Sequence, residues 1–199
     1  MIIIGFCQSV AAQSYFSMGP TVGLGATTII NTPTPGVRIA ANAGLTFIYN
    51  VSEHVDLEFD IMYSAEGEKG DIVPYNNSII VTSNLHYFRL PVKATYLFYE
   101  YNKKIRPKIF AGPSFGYLIG GKTELQTINN RTPIINSKVV YKPFDVGVVA
   151  GVGFNHMLNE YTWINADVSY FHGLPNNRRN TDDDHNRNLM LNVAMIFSL

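Results

Sequence analysis

Hydrophobic and polar residues alternate one by one along most of this chain. In the stretch from 87 to 98, Phe88, Leu90 and Val92 alternate with Arg89 and Lys93. Successive side chains of a β-strand point to opposite faces, so this period of two predicts strands with one apolar and one polar face. The same alternation recurs in eight segments, at residues 16–26, 37–51, 54–63, 87–98, 108–119, 144–155, 162–170 and 188–199.

The segments between these strands are alternately long and short. Long polar connections are predicted at 29–36, 67–78, 120–137 and 173–187, and shorter turns at 51–53, 99–106 and 156–160. Long loops at one end and short periplasmic turns at the other are typical of outer-membrane barrels. We therefore predict an all-β fold, an eight-stranded antiparallel up-and-down transmembrane β-barrel, with both termini on the periplasmic side.

Aromatic residues fall at two heights of the predicted barrel, as expected where hydrocarbon meets lipid headgroups. The periplasmic end collects Phe16, Phe47, Tyr49, Tyr96, Phe98, Phe154, Trp163 and Phe197. The outer end collects Tyr63, Phe88, Tyr117, Phe144 and Tyr170. Strict alternation points Trp163 inward, which makes it the exception in this belt.

The composition agrees with a membrane barrel and excludes other classes. Only 15% of the 199 residues are charged, against about 25% in soluble domains, and the 15 basic residues balance the 15 acidic ones. A chain with this balance lacks the excess of basic residues that is expected of a nucleic-acid-binding protein. No apolar run is long enough for a transmembrane helix.

The first residues resemble the end of a secretory signal. A short apolar stretch is followed by Val10-Ala11-Ala12, with small residues at the two positions that a signal peptidase reads, although a basic region before it is missing. We assign 1–12 to a truncated signal peptide and 13–199 to the barrel domain. Cys7 is the single cysteine and would leave with the signal, so the mature chain has no disulfide framework.

The predicted inward face carries charges of both signs in nearly equal number. Because an unpaired buried charge is costly, we expect a structural ion-pair network in a filled lumen rather than a wide channel. Asp56, Glu58 and Asp60 of the third strand lie beside Arg89 and Lys93 of the fourth and are the expected partners. The full predicted network is Arg38, Asp56, Glu58, Asp60, Arg89, Lys93, Lys108, Asp145 and Asp167.

Two further inward features concern packing. Pro91 lacks a ladder donor, so we expect a bulge or local irregularity in the fourth strand. The inward glycines Gly147, Gly151 and Gly153 are expected to leave room for long side chains such as Arg89 or Lys93 to lie across the lumen.

Two motifs carry a resemblance to a known family. The stretches 87–93 (YFRLPVK) and 106–114 (RPKIFAGPS) resemble paired strands of the small outer-membrane β-barrel domain, often labelled porin family protein, of Bacteroidota-type bacteria and of OmpA/OmpX-like shape. The ending Asn192-x-Ala194-x-x-Phe197-x-Leu199 resembles the carboxy-terminal signal read by the barrel-assembly machinery, with Ala194 in place of glycine and Leu199 in place of phenylalanine. The resemblance implies a cell outer membrane location, with outer-membrane lipid and this machinery as partners.

The function expected from this architecture is structural or surface-interacting, in adhesion or envelope integrity, through four outer loops. We expect a monomer without catalytic, cofactor-binding or metal site, and without nucleic acid as a partner. His172 approaches the outer rim with Ser169 and Asp167, yet its parity is opposite to theirs. Three alternatives remain open: a narrow solute or ion pore, an outer-membrane enzyme using His86 or His172, and a soluble lipocalin-like carrier in which the apolar face lines a cavity.

Overall fold

The computed structural model describes residues 15–31, 36–72, 79–127, 130–136, 141–174 and 184–199, so the predicted signal segment 1–12 lies outside the described residues. Within these residues the chain forms nine strands, which are β1 (Phe16–Ile30), β2 (Arg38–Asn50), β3 (Val55–Ile72), β4 (Ile79–Leu97), β5 (Ile105–Thr127), β6 (Asn130–Asn136), β7 (Phe144–Asn159), β8 (Thr162–Gly173) and β9 (His185–Ser198). No helix of the described residues is long and apolar enough to cross a membrane.

Eight of the strands close into an antiparallel barrel in the order β1-β2-β3-β4-β5-β7-β8-β9, and β9 pairs back onto β1. Met18 lies opposite Phe197 and Leu24 opposite Leu191 in this closing pair. The predicted eight-stranded fold is confirmed. We call the end with the connections 51–54, 98–104 and 160–161 the turn end, and the opposite end the loop end.

Several strands continue through segments that the sequence pattern predicts as loops. β6 pairs with the far part of β5, where Lys122 lies opposite Asn136 and Thr127 opposite Asn130. The prediction of a loop at 120–137 is therefore wrong for most of its length. The prediction of a loop at 67–78 is also wrong in its first part, because β3 runs to Ile72. The outward alternation stops earlier than the strands because outward side chains beyond the apolar band need not be apolar, while the backbone hydrogen bonds continue.

The barrel exposes its apolar face and buries its polar face. Leu24 and Leu191 are 65% and 57% exposed, whereas Glu58 and Lys93 are 3% and 6% exposed. A soluble carrier would have the opposite arrangement, so the lipocalin-like alternative is wrong. The outward face is the kind of surface that hydrocarbon covers.

The aromatic residues largely follow the predicted belts. At the turn end Tyr96 and Phe98 meet edge to face with ring centroids 5.3 Å apart, and at the loop end Tyr117 and Phe144 are also 5.3 Å apart. Trp163 is buried in the lumen, as its parity indicates.

The pairing of β4 is interrupted at Pro91 without a change of register. Its cross-strand pairs with β3 pass from Phe59–Val92 to Met62–Arg89 and leave out Leu90 and Pro91, while Pro91 stays opposite Ser114 of β5. The expected local irregularity is therefore present at Pro91, but it is not a bulge. The register shift against β5 lies between His86 and Tyr87, four residues nearer the loop end.

Candidate functional site

The lumen is filled by four groups of side chains that follow one another along the barrel. From the turn end to the loop end they are the turn-end apolar cluster (Ile48, Trp163, Ala194, Ile196), the central ion cluster (Glu58, Asp60, Lys93, Lys108, Asp167), the upper ion cluster (Glu66, Arg89, Asp145, Asn186) and the loop-end apolar cluster (Ile29, Leu85, Tyr87, Leu118, Tyr141).

The upper ion cluster is organised around Arg89 of β4. Its guanidinium donates to both carboxylate oxygens of Glu66, with Nη2 2.6 Å from Oε2, and Nη2 is also 2.6 Å from Asp145 Oδ2. Asn186 Nδ2 donates to the same two carboxylates, at 2.7 Å to Glu66 and 3.1 Å to Asp145. These side chains come from β3, β4, β7 and β9, so the cluster ties together strands from around the barrel.

The central ion cluster places Glu58 between two ammonium groups. Glu58 and Lys93 are direct cross-strand neighbours on β3 and β4 and form an ion pair. Lys93 Nζ also lies 2.8 Å from Asp60 Oδ2. Lys108 of β5 approaches Glu58 at 3.4 Å and Asp167 at 3.6 Å. Because each carboxylate faces a cation at hydrogen-bonding or slightly longer distance, the cost of burying these charges is largely offset.

Aromatic rings lie beside these cations in the lumen. The Arg89 guanidinium is 4.2 Å from the ring centroid of Phe171, and Lys93 Nζ is 5.3 Å from that of Phe110. A β-carbon at Gly147 would come within 2.6 Å of the Phe171 ring, and one at Gly151 would overlap the Phe110 ring. Gly147 and Gly151 thus make room for two aromatic rings, which lie beside the cations, rather than for Arg89 or Lys93, and Gly153 lies against Asp167.

Two predicted members of the network, Arg38 and Asp56, lie at its margins. Arg38 Nη1 donates to the backbone carbonyl of Glu66 at 2.7 Å. Asp56 is buried and lines a cavity of about 30 Å³ together with Arg106, near the turn end. Arg106 donates through Nε to the carbonyl of Tyr99 at 3.0 Å and through Nη2 to that of Glu53, so it holds two turn segments.

The structure distributes the predicted partners differently from the expectation. Lys93 contacts Glu58 and Asp60, as expected, whereas Arg89 takes Glu66 and Asp145. Arg89 stands opposite Met62 in the register, so its long side chain meets the carboxylates on the loop-end side. Glu66 is absent from the sequence-based network, although it has the same parity as Glu58 and Asp60 and an extension of the third strand would have included it.

Apolar groups limit the lumen at both ends. Trp163 is 6% exposed and its ring lies 5.3 Å from that of Tyr101 at the turn end. At the loop end Tyr141 donates to Glu68 or Ser83, each at 3.2 Å. Between the apolar clusters are cavities of about 50 and 10 Å³, enough for a few water molecules and not for a wide channel.

The histidines of the loop end do not meet the inward serine and aspartate. His172 stacks on His185 on the outward face, with ring centroids 5.8 Å apart. Asp167 and Ser169 instead accept hydrogen bonds from Asn192 in the lumen, at 2.8 and 2.9 Å. Among the residues that the structure describes, no three His, Cys, Asp or Glu side chains are grouped so that they could hold a metal ion.

Comparison with known proteins agrees with this geometry. Residues 8–178 match the family model described as "Outer membrane protein beta-barrel domain". Two solved structures share the fold: Neisserial surface protein A, at 10% identity and a TM-score of 0.52 over 94% of this chain and 98% of that one, and OprG of Pseudomonas aeruginosa, at 13% and 0.54 over 92% and 94%. No curated protein sequence matches the chain.

Proposed function

Because the chain belongs to the outer membrane protein β-barrel domain family, we propose that it is a closed outer-membrane barrel that acts through its outer segments, in adhesion or in envelope integrity. The observation that carries this proposal is the filled lumen. Arg89 binds Glu66 of the adjacent strand and Asp145 two strands away, and apolar clusters lie on either side of the ion clusters. A barrel filled in this way leaves its outer surface as the part available to partners.

The long strands at the loop end favour a surface role. A transmembrane strand needs about 9–11 residues, whereas β3, β4 and β5 contain 18, 19 and 23 residues. About half of β5, with the paired β6, therefore extends past the apolar band and presents a pleated sheet. We name the paired segments 120–127 and 130–136 the outer hairpin.

The orientation can be tested by thiol labelling of intact cells with a membrane-impermeant maleimide. Lys122→Cys lies in the outer hairpin, where the lysine side chain is 61% exposed, and Glu160→Cys lies in a turn at the opposite end. We expect Lys122→Cys to be labelled in intact cells and Glu160→Cys only after permeabilisation. The reverse result would overturn the orientation, and the unsubstituted protein controls for Cys7.

The surface role can be separated from a purely structural one by shortening the outer hairpin. A variant in which 123–135 are replaced by a two-residue turn keeps the membrane-spanning part of every strand. In a deletion strain, we expect this variant to restore resistance to large antibiotics as well as the wild type does, and to fail to restore adherence. Full restoration of adherence would exclude the hairpin as the interacting surface. If the variant assembles a normal barrel but restores neither antibiotic resistance nor adherence, the result would instead support a role in envelope integrity.

A narrow ion path is the second candidate, and the cavities favour it. The cavities of about 50, 10 and 30 Å³ share lining residues, with Asp60 common to the first two and Asn165 to the last two. Planar-bilayer recording decides between the candidates. A filled barrel predicts no sustained conductance from the purified protein, whereas steady unitary steps that remain after repurification would favour the path.

We also propose that the protein is not an enzyme. His172 lies on the outward face, whereas Asp167 and Ser169 are engaged with Asn192. An esterase or protease activity that is lost in His172→Gln or His86→Gln while the barrel still folds would contradict this.

A further inference from the structure

Two histidines and an arginine meet on the outward face at the loop end, and we propose that they bind the phosphate of an anionic lipid headgroup. The residues are His172 of β8 and His185 and Arg187 of β9. We call them the loop-end cationic patch. This inference rests on the membrane location and not on the proposed role of the outer hairpin.

The strand register brings these three side chains together. His172 is the direct cross-strand neighbour of Arg187. His185 lies two residues before Arg187, on the same face of β9, and its ring stacks on that of His172 with centroids 5.8 Å apart. His185 Nδ1 lies 3.3 Å from the carbonyl of Gly173, so a hydrogen bond to the backbone of β8 orients this ring.

Parity places the patch outside the barrel. Asn186 and Asn188, which alternate with His185 and Arg187, are buried in the lumen at 0% and 4% exposure. Arg187 therefore points away from the ion clusters. Its Nε is shielded from solvent and has no hydrogen-bond partner among the described residues, so the barrel wall does not hold the guanidinium through this atom.

The height of the patch matches the headgroup layer. Tyr170 belongs to the aromatic belt of the loop end and is paired with Leu189, which is 52% exposed on the outward face. Arg187 and His172 are the next outward pair, about 7 Å nearer the loop end at the usual rise per strand residue. Lipid phosphates lie just beyond the aromatic belt, which is where cationic side chains are favourable.

The chemistry of the three side chains suits a phosphate. An arginine provides a permanent charge and a planar set of N–H donors that can bind two phosphate oxygens at once. Each imidazole has an N–H that can donate to a further oxygen. The flanking Thr28 of β1, opposite Arg187, adds no charge of its own.

The other side of the loop end provides a matched control. There Tyr63 and His86 also face outward, stack with centroids 5.8 Å apart and share a hydrogen bond of 2.6 Å. The cross-strand neighbours of His86 are Ala65 and Gly120, so no arginine is paired with this histidine in the register. A histidine beside a tyrosine is thus present at both places, whereas an arginine as the direct cross-strand partner of a histidine is present at the patch.

Native mass spectrometry of the full chain in detergent tests the proposal, with phosphatidic acid and phosphatidylcholine of identical acyl chains as probes. We expect one phosphatidic acid to be retained in preference to phosphatidylcholine. Charge-assisted hydrogen bonds predict that Arg187→Gln weakens this retention roughly tenfold or more. Arg187→Lys should weaken it less than Arg187→Gln does, because the positive charge is kept while the pair of parallel N–H donors is lost. His86→Gln should leave retention unchanged.

The remaining arms identify the ligand and control for folding. Heat-modifiable migration in gels checks that each variant is folded, and the double variant with His172→Gln and His185→Gln tests the patch without changing Arg187. Inorganic phosphate should not displace the lipid at equal concentration. If phosphate displaced the lipid at equal concentration, the assignment of the site to a lipid would be overturned. Retention that is unchanged in both Arg187→Gln and the histidine double variant, or lowered equally by His86→Gln, would overturn the site.

Discussion

Arg89 of β4 reaches Asp145 of β7 across the lumen, with Nη2 2.6 Å from Oδ2, while the same guanidinium binds Glu66 of β3. Arg89→Ala removes the cation and leaves two buried carboxylates without it. Breaking a buried pair in this way costs about 3–5 kcal/mol, because an uncompensated charge remains. We expect the free energy of unfolding to fall by that amount, measured by urea titration of the protein in lipid vesicles with Trp163 fluorescence as the signal.

An exposed ion pair provides the control for this measurement. Lys122 and Glu124 lie 2.6 Å apart, but the lysine side chain is 61% exposed. Solvent screens such a pair, so Lys122→Ala should change the free energy of unfolding by less than about 1 kcal/mol. Similar losses for Lys122→Ala and Arg89→Ala would mean that the upper ion cluster does not stabilise the barrel beyond an ordinary surface pair.

The contact between Gly151 and Phe110 predicts a defect of packing rather than of charge. Gly151→Val would place its side chain in the space that the Phe110 ring occupies. Overpacking of this kind typically costs about 1–3 kcal/mol. We expect the free energy of unfolding to fall by this amount in the same urea titration, and to recover in part when Phe110→Leu is added. Ala150→Val, on the outward face next to it, should be nearly neutral, and an equal effect at both positions would contradict the proposed packing.

The alternation along the chain is enough to predict the barrel because lipid on one side and a polar lumen on the other impose opposite demands on neighbouring residues. Phe88, Leu90 and Val92 face outward and Arg89 and Lys93 inward in the structure, as the pattern indicates. The pattern ends where lipid ends, so it could not show that β5 continues to Thr127 or that β6 follows.

The partners within the lumen were harder to predict for a related reason. Parity places a side chain inside, but its length and the height it reaches decide which charge it meets. Lys93 pairs with its direct cross-strand neighbour Glu58, which sequence position indicates, whereas Arg89 meets Asp145 two strands away. Phe110 and Phe171 occupy positions of the polar face, and no alternation signal marks an aromatic ring that supports a cation. The reading of 192–199 as an assembly signal stays a prediction.

The inward position of Trp163 can be tested by quenching with brominated lipids. Trp163 is the single tryptophan of the chain and is buried with Ile48 and Ile196 in the turn-end apolar cluster. A bromine atom in the acyl chains should therefore quench it weakly. Phe154 lies on the outward face at the same end and is 43% exposed. A variant with Phe154→Trp and Trp163→Phe should be quenched strongly, and strong quenching of the wild type would place Trp163 in contact with lipid.

Leu191 tests whether the exposed apolar face lies in a bilayer. It is 57% exposed, stands near the middle of β9, and is paired with Leu24 on one side and Val168 on the other. At the midplane of a bilayer, a lysine on the lipid face of a barrel costs about 2–4 kcal/mol, whereas near an interface the cost falls to about 0–1 kcal/mol. We expect Leu191→Lys to lower the free energy of unfolding in vesicles by the larger amount. Tyr161→Lys, at an exposed turn position, should lower it by the smaller amount. If the face were bathed in water, both lysines would be tolerated alike, because neither would leave solvent. Equal and small effects at the two positions would therefore contradict the membrane location of this face.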